Sequence, residues 1–166
     1  MGQAMTEREI EAVLREVTDE EVAFYHEYGW VMMKQLVAPE FATQLQRVGQ
    51  EWRERQDKEG GTGRAVHLAL ARDAEPYHSF MFSERMSQNA MRLVNKKRLK
   101  GVDVALRYRI DIHILKPPGA AGATYHQDSS EHGSDRVGEL QFWLALDEVT
   151  PEMGAMRFVS RSHRLD

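Results

Sequence analysis

The chain changes character near residue 102, and this change limits the folds that are open to it. Before that point, apolar residues recur at helical spacing behind capping residues. After it, Val, Ile, Leu, Tyr and Phe form short runs bounded by Pro and Gly, at residues 102–115, 139–149 and 155–159. Runs of this composition predict strands. The second half of the chain is therefore predicted to be β-rich.

The two halves form one predicted domain over residues 1–166. No internal repeat or low-complexity tract separates them. Helices followed by strands are typical of the α+β class, in which both kinds of element share one core. We therefore predict a mostly helical cover at residues 1–101 and a β core at residues 102–166.

Two capping boxes of the form Thr-x-x-Glu predict helix starts, Thr6 with Glu9 and Thr18 with Glu21. The first helix is predicted over residues 7–17, and Gly29 is the predicted left-handed end of the second. The other predicted elements are a strand at residues 30–37, a helix beginning at Pro39, a strand at 66–70 and a helix at 77–99.

Composition excludes several classes of protein. The 166 residues are 42% hydrophobic and 29% charged, as in a globular domain with a packed core. A net charge of −4 provides no basic stripe, so nucleic acid is not an expected partner. The lack of cysteine excludes disulfides, zinc ribbons and thiol nucleophiles. Since no apolar run approaches the roughly 18 residues that span a bilayer, we predict a cytoplasmic protein with no membrane partner.

His126 and Asp128 are the candidate metal ligands. Residues two apart in an extended strand point the same way, so this imidazole and carboxylate would meet at one point. Two imidazoles and one carboxylate form the ligand set of non-haem Fe(II) oxygenases. The spacing alone has little specificity, because the chain also contains the mirror pair Asp111-Ile112-His113. That pair lies inside a predicted strand, where His113 is more typical of a packed side chain.

The pair lies within a longer series of segments in a fixed order. These segments are residues 24–31, 112–118, 125–128, 142–147 and 150–156, followed by Arg161-Ser162-His163. Together they resemble the phytanoyl-CoA dioxygenase family of Fe(II)- and 2-oxoglutarate-dependent oxygenases. The family usually has Gly-Ser-His at the last segment. The resemblance implies a double-stranded β-helix (a jelly-roll, cupin-like core) covered by N-terminal helices.

The resemblance also implies the cofactors and the residues that bind them. It makes His126 and Asp128 two ligands of Fe(II), with 2-oxoglutarate as cosubstrate and O2 and a small organic molecule as substrates. It places Trp143 beside 2-oxoglutarate, and Ile112 in contact with it through backbone atoms. A Trp in such an apolar run is equally typical of a core aromatic residue on a central strand. Related halogenases have Gly or Ala in place of the carboxylate, so Asp128 favours hydroxylation or a related oxidation.

The resemblance is incomplete at the C-terminus. In the family, the second iron-binding histidine and the arginine that binds the distal carboxylate of 2-oxoglutarate follow the Gly-Ser-His segment, whereas this chain ends at Asp166. We do not expect His132, His163, Arg157, Arg161 or Arg164 to replace them. Residues 1–166 alone are therefore expected to bind Fe(II) and 2-oxoglutarate weakly, to turn over little, and to associate through unpaired sheet edges.

Two other functions are compatible with the sequence. The first is a non-catalytic jelly-roll module that binds a ligand or partner, or an inactive fragment of an oxygenase. The second is a hydrolase using Ser129 or Ser130 with His126, although the sequence around them lacks a nucleophile elbow. Substrate contacts are expected from the loops at residues 60–65 and 129–138, which do not reveal the substrate's identity.

Overall fold

The computed structural model describes residues 3–58, 66–94, 105–116, 118–119, 123–127 and 139–165. Within these ranges the chain is rich in helix and poor in strand. The helices are α1 (Glu7–Val13), α2 (Asp19–Tyr28), α3 (Pro39–Lys58), α4 (Leu70–Asp73), α5 (Tyr77–Met81) and α6 (Glu84–Leu93). The strands are β1 (Val66–Leu68) and β2 (Ile112–Ile114), and 3-10 helices cover Pro151–Met153 and Ser162–Arg164. Among the described residues, no helix is long and apolar enough to cross a membrane.

Helix α1 begins as predicted but ends one turn early. Thr6 accepts a hydrogen bond from the Glu9 amide, and the Glu9 carboxylate accepts one from the Thr6 amide. The predicted end at residue 17 is wrong, because the chain becomes extended at Leu14 and forms an isolated antiparallel bridge with Val37. Tertiary hydrogen bonding thus replaces the last predicted helical turn.

Helix α2 has the predicted boundaries. Thr18 and Glu21 form the capping box, and Gly29 ends the helix in the left-handed conformation with φ of +82°. The strand predicted over residues 30–37 is wrong. The chain there makes a turn in which Gln35 has φ of +51°, and a positive φ interrupts extended backbone.

The core lies between α3 and the other helices. Helix α3 begins at Pro39, and its buried side carries Phe41, Leu45 and Val48, with Trp52 partly buried against the same core. The remaining buried apolar residues come from every other helix except α2, and from the connections that follow α1, α2 and α4. They are Ile10, Leu14, Val17, Leu36, Val37, Leu70, Ala71, Ala74, Tyr77, Phe80, Met86 and Leu93.

The helix predicted over residues 77–99 is interrupted, which corrects that prediction. The Ser83 hydroxyl donates to the Phe80 carbonyl at 2.9 Å and accepts from the Met86 amide at 3.1 Å. The Ser83 hydroxyl therefore provides a hydrogen-bond partner for a backbone carbonyl in α5 and for a backbone amide in α6. A short hydroxyl side chain can compete with the helix for such backbone partners, so the helix is interrupted at this residue. Residues 95–99 of that prediction lie outside the described residues.

A buried asparagine joins α6 to the connection between α1 and α2. The Asn89 side chain is fully buried. Its oxygen accepts from the Val17 amide at 2.9 Å, and its nitrogen donates to the Arg15 carbonyl at 2.8 Å. This contact orders a connection that has no regular secondary structure of its own.

The β structure is much smaller than predicted. Strands β1 and β2 are antiparallel, with His67 opposite His113. The other predicted strands, at residues 139–149 and 155–159, are wrong as paired strands: the described chain there forms none. A strand forms only where its backbone is hydrogen-bonded to a neighbouring strand. Among the described residues after residue 102, only β2 is paired, and its partner is β1. The predicted double-stranded β-helix is therefore not formed by the described residues.

Candidate functional site

His126 lies in an exposed, irregular segment. Its Nδ1 atom is 2.8 Å from the carbonyl oxygen of Thr124, two residues earlier in the chain. This local hydrogen bond holds the ring against its own backbone. A neutral imidazole is a ligand that Fe(II) accepts, and an exposed imidazole leaves room for a metal ion. His126 thus fits the role that the family resemblance implies.

The rest of the predicted metal site is only partly described. Asp128 lies outside the described residues, as do Ser129, Ser130 and His132. Within the described ranges, no group of three or more His, Cys, Asp or Glu residues could hold a metal ion. Of the two predicted metal ligands, His126 lies within the described residues and Asp128 does not.

Among the described residues, the backbone groups of Ile112 have no strand on the side of β2 that faces away from β1. The Ala69 amide donates to the Asp111 carbonyl at 2.8 Å, and Leu68 is opposite Ile112. Backbone polar groups alternate in direction along an antiparallel strand, so the amide and carbonyl of Ile112 face away from β1. Its side chain is 50% exposed. The predicted contact with 2-oxoglutarate through these backbone groups stays a prediction.

Trp143 is not a core residue. The segment around it packs Leu140, Phe142 and Leu146 against the helical core, whereas Trp143 is 50% exposed. Its exposure removes the alternative interpretation of a buried aromatic residue on a central strand. The predicted contact with 2-oxoglutarate is not tested by this arrangement, since nothing in it identifies a ligand.

His113 is a packed side chain, as predicted. A Cβ atom added to Gly49 of α3 would lie 2.8 Å from both Cε1 and Nε2 of His113. The ring also meets Tyr77 edge to face, with centroids 6.4 Å apart. Tyr77 donates to the Leu45 carbonyl at 2.8 Å, and burial raises the pKa of its hydroxyl. This cluster fastens β2 to α3 and α5.

The C-terminal segment binds the end of α2 through two arginines. Arg161 and Arg164 each approach the Glu27 carboxylate, at 2.7 and 2.8 Å. These cations, Arg164 foremost, lower the pKa of the Glu27 carboxyl. The Arg161 guanidinium also lies over the Tyr28 ring, 5.3 Å from its centroid. Both arginines thus contact α2, and the expectation that neither binds 2-oxoglutarate stays a prediction.

His163 packs against α2. A Cβ atom at Gly29 would lie 2.2 Å from His163 Nδ1, so the ring occupies the space that a side chain at residue 29 would take. This Nδ1 atom is buried and has no hydrogen-bond partner among the described residues. The prediction that His163 is not an iron ligand stays a prediction.

Trp30 is a contact residue that the sequence analysis did not single out. Its ring stacks on Phe158, with centroids 5.7 Å apart and planes inclined by 8°. The indole Nε1 donates to the Ser160 hydroxyl at 3.0 Å. Trp30 lies in a segment of the family resemblance, whereas Phe158 and Ser160 lie between two such segments. The distance along the chain gives no pattern of spacing that would predict these contacts.

Comparison with known proteins identifies the family. The family model described as phytanoyl-CoA dioxygenase (PhyH) matches residues 8–166, which is nearly the whole chain. No curated protein and no solved structure gives a significant match. The match includes the helical first half, the His126 segment and the C-terminal segment that binds α2. The chain therefore belongs to the phytanoyl-CoA dioxygenase family.

Proposed function

We propose that this protein is an Fe(II)- and 2-oxoglutarate-dependent oxygenase that hydroxylates or otherwise oxidises a small organic molecule. Members of its family are dioxygenases, and the match covers residues 8–166. The observation that carries the proposal is the exposed His126 ring, held by the Thr124 carbonyl within the segment that resembles the family's iron-binding motif. A fixed, accessible imidazole is what a metal site requires of its ligand.

His126 and Asp128 are the proposed iron ligands. Bound Fe(II) would supply the activation of O2 that accompanies oxidative decarboxylation of 2-oxoglutarate. His126 would provide a neutral donor and Asp128 an anionic one, and together they would leave positions for cosubstrate and O2. The anionic ligand favours hydroxylation over halide transfer.

Ile112 and Trp143 are the proposed contacts of 2-oxoglutarate. The amide and carbonyl of Ile112 face away from β1, so they can form hydrogen bonds to a bound molecule. Trp143 exposes half of its surface and would exclude water from one side of the cosubstrate. Substrate identity would be determined by loops that are not part of either contact.

Metal binding tests the proposal directly. Mn(II) serves as a redox-silent substitute for Fe(II), and its binding is measured by calorimetry with and without 2-oxoglutarate. We expect His126→Ala and Asp128→Gly to weaken Mn(II) binding by at least about tenfold, because each removes a coordinate bond. His78→Ala is the matched control, since His78 is also exposed and its Nδ1 atom also contacts a backbone carbonyl, that of Ala71. Undiminished binding in both ligand variants would favour the non-catalytic module.

Turnover is measured as succinate formed from 2-oxoglutarate in the presence of Fe(II) and O2. We expect His126→Ala to abolish it and Asp128→Gly to suppress it strongly. Separate His132→Ala and His163→Ala variants test whether either residue completes the ligand set. A wild-type rate in His126→Ala would remove the metal-ligand assignment.

A further inference from the structure

Asp111 links β2 to the start of α4. Its carboxylate accepts from the Ala71 amide, with both oxygens at 3.2 Å, and its carbonyl accepts from the Ala69 amide at 2.8 Å. Ala69 is the residue before α4, and its methyl side chain makes no capping hydrogen bond. The amides in the first turn of a helix are usually capped by a side-chain oxygen of that preceding residue. Here a strand supplies the capping oxygen, so α4 and β2 are fixed to each other.

Tyr108 holds Asp111 from within the same segment of chain. Its hydroxyl accepts from the Asp111 amide at 2.9 Å and donates to the Asp111 carboxylate. Partial burial, followed by the hydrogen bond to this carboxylate, raises the pKa of the Tyr108 hydroxyl to about 12, so the donated proton is present at neutral pH. The amide, the carbonyl and the carboxylate of Asp111 therefore each have a partner. A polar group network that is satisfied in this way is rigid.

Ile112, the next residue, does not fix its own backbone. Its side chain is 50% exposed, so packing of this side chain constrains the strand only weakly. Its amide and carbonyl face away from β1 and are not held by that strand. The position of these groups is therefore set by the residues on either side. One is Asp111, and the other is His113, which packs against Gly49 and Tyr77.

We infer that Asp111 is a positioning residue for 2-oxoglutarate: it fastens β2 to α4 and so holds the amide and carbonyl of Ile112 where the cosubstrate binds. This inference rests on the proposed function for its ligand. The hydrogen bonds of Asp111 form without a ligand, so the contact is ordered before 2-oxoglutarate arrives, and a contact ordered in advance binds more tightly. The mirror pair Asp111-Ile112-His113 thus has a role other than metal binding.

The anchor is tested without any ligand, by amide hydrogen exchange measured with ¹⁵N NMR. We expect Asp111→Ala to speed exchange of the Ala71 amide by at least about tenfold, because this amide loses a charged acceptor. Asp111→Asn should restore most of the protection, since asparagine caps a helix about as well as aspartate. Asp73→Ala is the matched control, because it removes an exposed carboxylate from the same helix. Unchanged exchange at Ala71 in Asp111→Ala would overturn the inference.

The cosubstrate contact is tested by titrating ¹⁵N-labelled protein with 2-oxoglutarate in the presence of Zn(II), a diamagnetic substitute for Fe(II). The shift of the Ile112 amide signal reports binding at the contact itself, and its concentration dependence gives the Kd for 2-oxoglutarate. We expect this Kd to rise by about tenfold in Asp111→Ala, because the ligand must then order the contact. It should stay within about threefold of the parent value in Asp111→Asn and Asp73→Ala.

Loss of stability is separated from loss of positioning by a second control. Asn89 binds the connection between α1 and α2, and not β2, so Asn89→Ala should destabilise the fold and leave the Kd for 2-oxoglutarate unchanged. An equal rise of the Kd in Asn89→Ala and Asp111→Ala would overturn the inference. If Asp111→Ala does not fold, Tyr108→Phe replaces it, because it removes one partner of Asp111 and should raise the Kd by about threefold. An unchanged Kd in Tyr108→Phe would then overturn the inference.

Failure of the inference and failure of the proposed function give different results. If the parent protein binds 2-oxoglutarate and Asp111→Ala binds it equally well, the inference is wrong and the proposed function stands. If no signal of the parent protein shifts with 2-oxoglutarate, the proposed function is wrong, and the cosubstrate role of Asp111 with it. Exchange at Ala71 still decides in that case whether Asp111 anchors β2 to α4.

Discussion

The imidazole of His163 lies against the backbone of Gly29, at the point where α2 ends. A Cβ atom at residue 29 would overlap His163 Nδ1, so the imidazole would have to move, and Gly29 also has φ of +82°. Glycine is therefore required at this position for two reasons: the left-handed backbone that ends α2, and the close approach of His163 from the C-terminal segment.

Replacement of Gly29 by alanine is expected to destabilise the protein by more than the strain of left-handed backbone, which is about 1–2 kcal/mol. The additional loss comes from displacement of His163. Gly119→Ala is the control, because Gly119 has φ of +80° and a Cβ atom there would meet nothing within 4 Å. Urea denaturation measures both variants. Equal losses would show that the contact between residues 29 and 163 contributes nothing.

Arg161 has a left-handed backbone conformation, with φ of +67°. Its side chain compensates through Glu27 and Tyr28. We expect Arg161→Ala to be less stable than Arg161→Gly by about 1 kcal/mol, since both lose the side-chain contacts but only alanine keeps the backbone strain. Thermal or urea denaturation gives the difference. An alanine variant as stable as the glycine variant would contradict this explanation.

Asn89→Ala is expected to leave the Val17 amide and the Arg15 carbonyl without their side-chain partner. The bond to Val17 is buried, and a buried group left unsatisfied costs about 1–3 kcal/mol, whereas the bond to Arg15 is only partly buried and contributes less. In Asn89→Asp the side chain can still accept from the Val17 amide, but a carboxylate cannot donate to the Arg15 carbonyl. Comparison of the two variants therefore separates the contributions of the two hydrogen bonds. Chemical denaturation measures stability, and amide hydrogen exchange at Val17 reports the local bond. Unchanged exchange at Val17 in Asn89→Ala would argue against this role.

Acid is expected to weaken the attachment of the C-terminal segment to α2. Arg164 and then Arg161 lower the pKa of Glu27 from its ordinary value of 4.5, so the folded state favours the charged carboxylate. The resulting stability is present above pH 4.5 and is lost as the pH falls through the lowered pKa in the folded state. Trp30 fluorescence follows the attachment through its stacking on Phe158, in a background with Trp52→Phe and Trp143→Phe.

Glu27→Gln is the control for the acid experiment. This variant lacks the titrating group, so its Trp30 signal should lose the component of the pH dependence that arises from Glu27. Circular dichroism followed in parallel reports general unfolding of the helices. If Glu27→Gln and the parent protein respond identically to acid, the Glu27 ion pairs do not control the attachment.

The sequence by itself determined the local features of this protein. The capping boxes at Thr6 and Thr18, the left-handed Gly29 and the start of α3 at Pro39 were predicted correctly, because each depends on residues within one helical turn. The packed role of His113 was also predicted. The family was identified from short segments in a fixed order, which a linear sequence records fully.

Tertiary structure decided the features that depend on distant partners. Helix α1 ends early because Leu14 pairs with Val37, and the two groups that Asn89 binds lie in a connection far away in sequence. Trp143 is exposed because its neighbours Phe142 and Leu146 are the residues of this segment that pack against the core. None of these outcomes has a local pattern, since hydrogen bonds and burial are formed between segments whose spacing along the chain carries no periodicity. The left-handed Arg161 is the clearest case, because contacts with Glu27 and Tyr28 from the other end of the chain accompany a conformation that arginine alone disfavours.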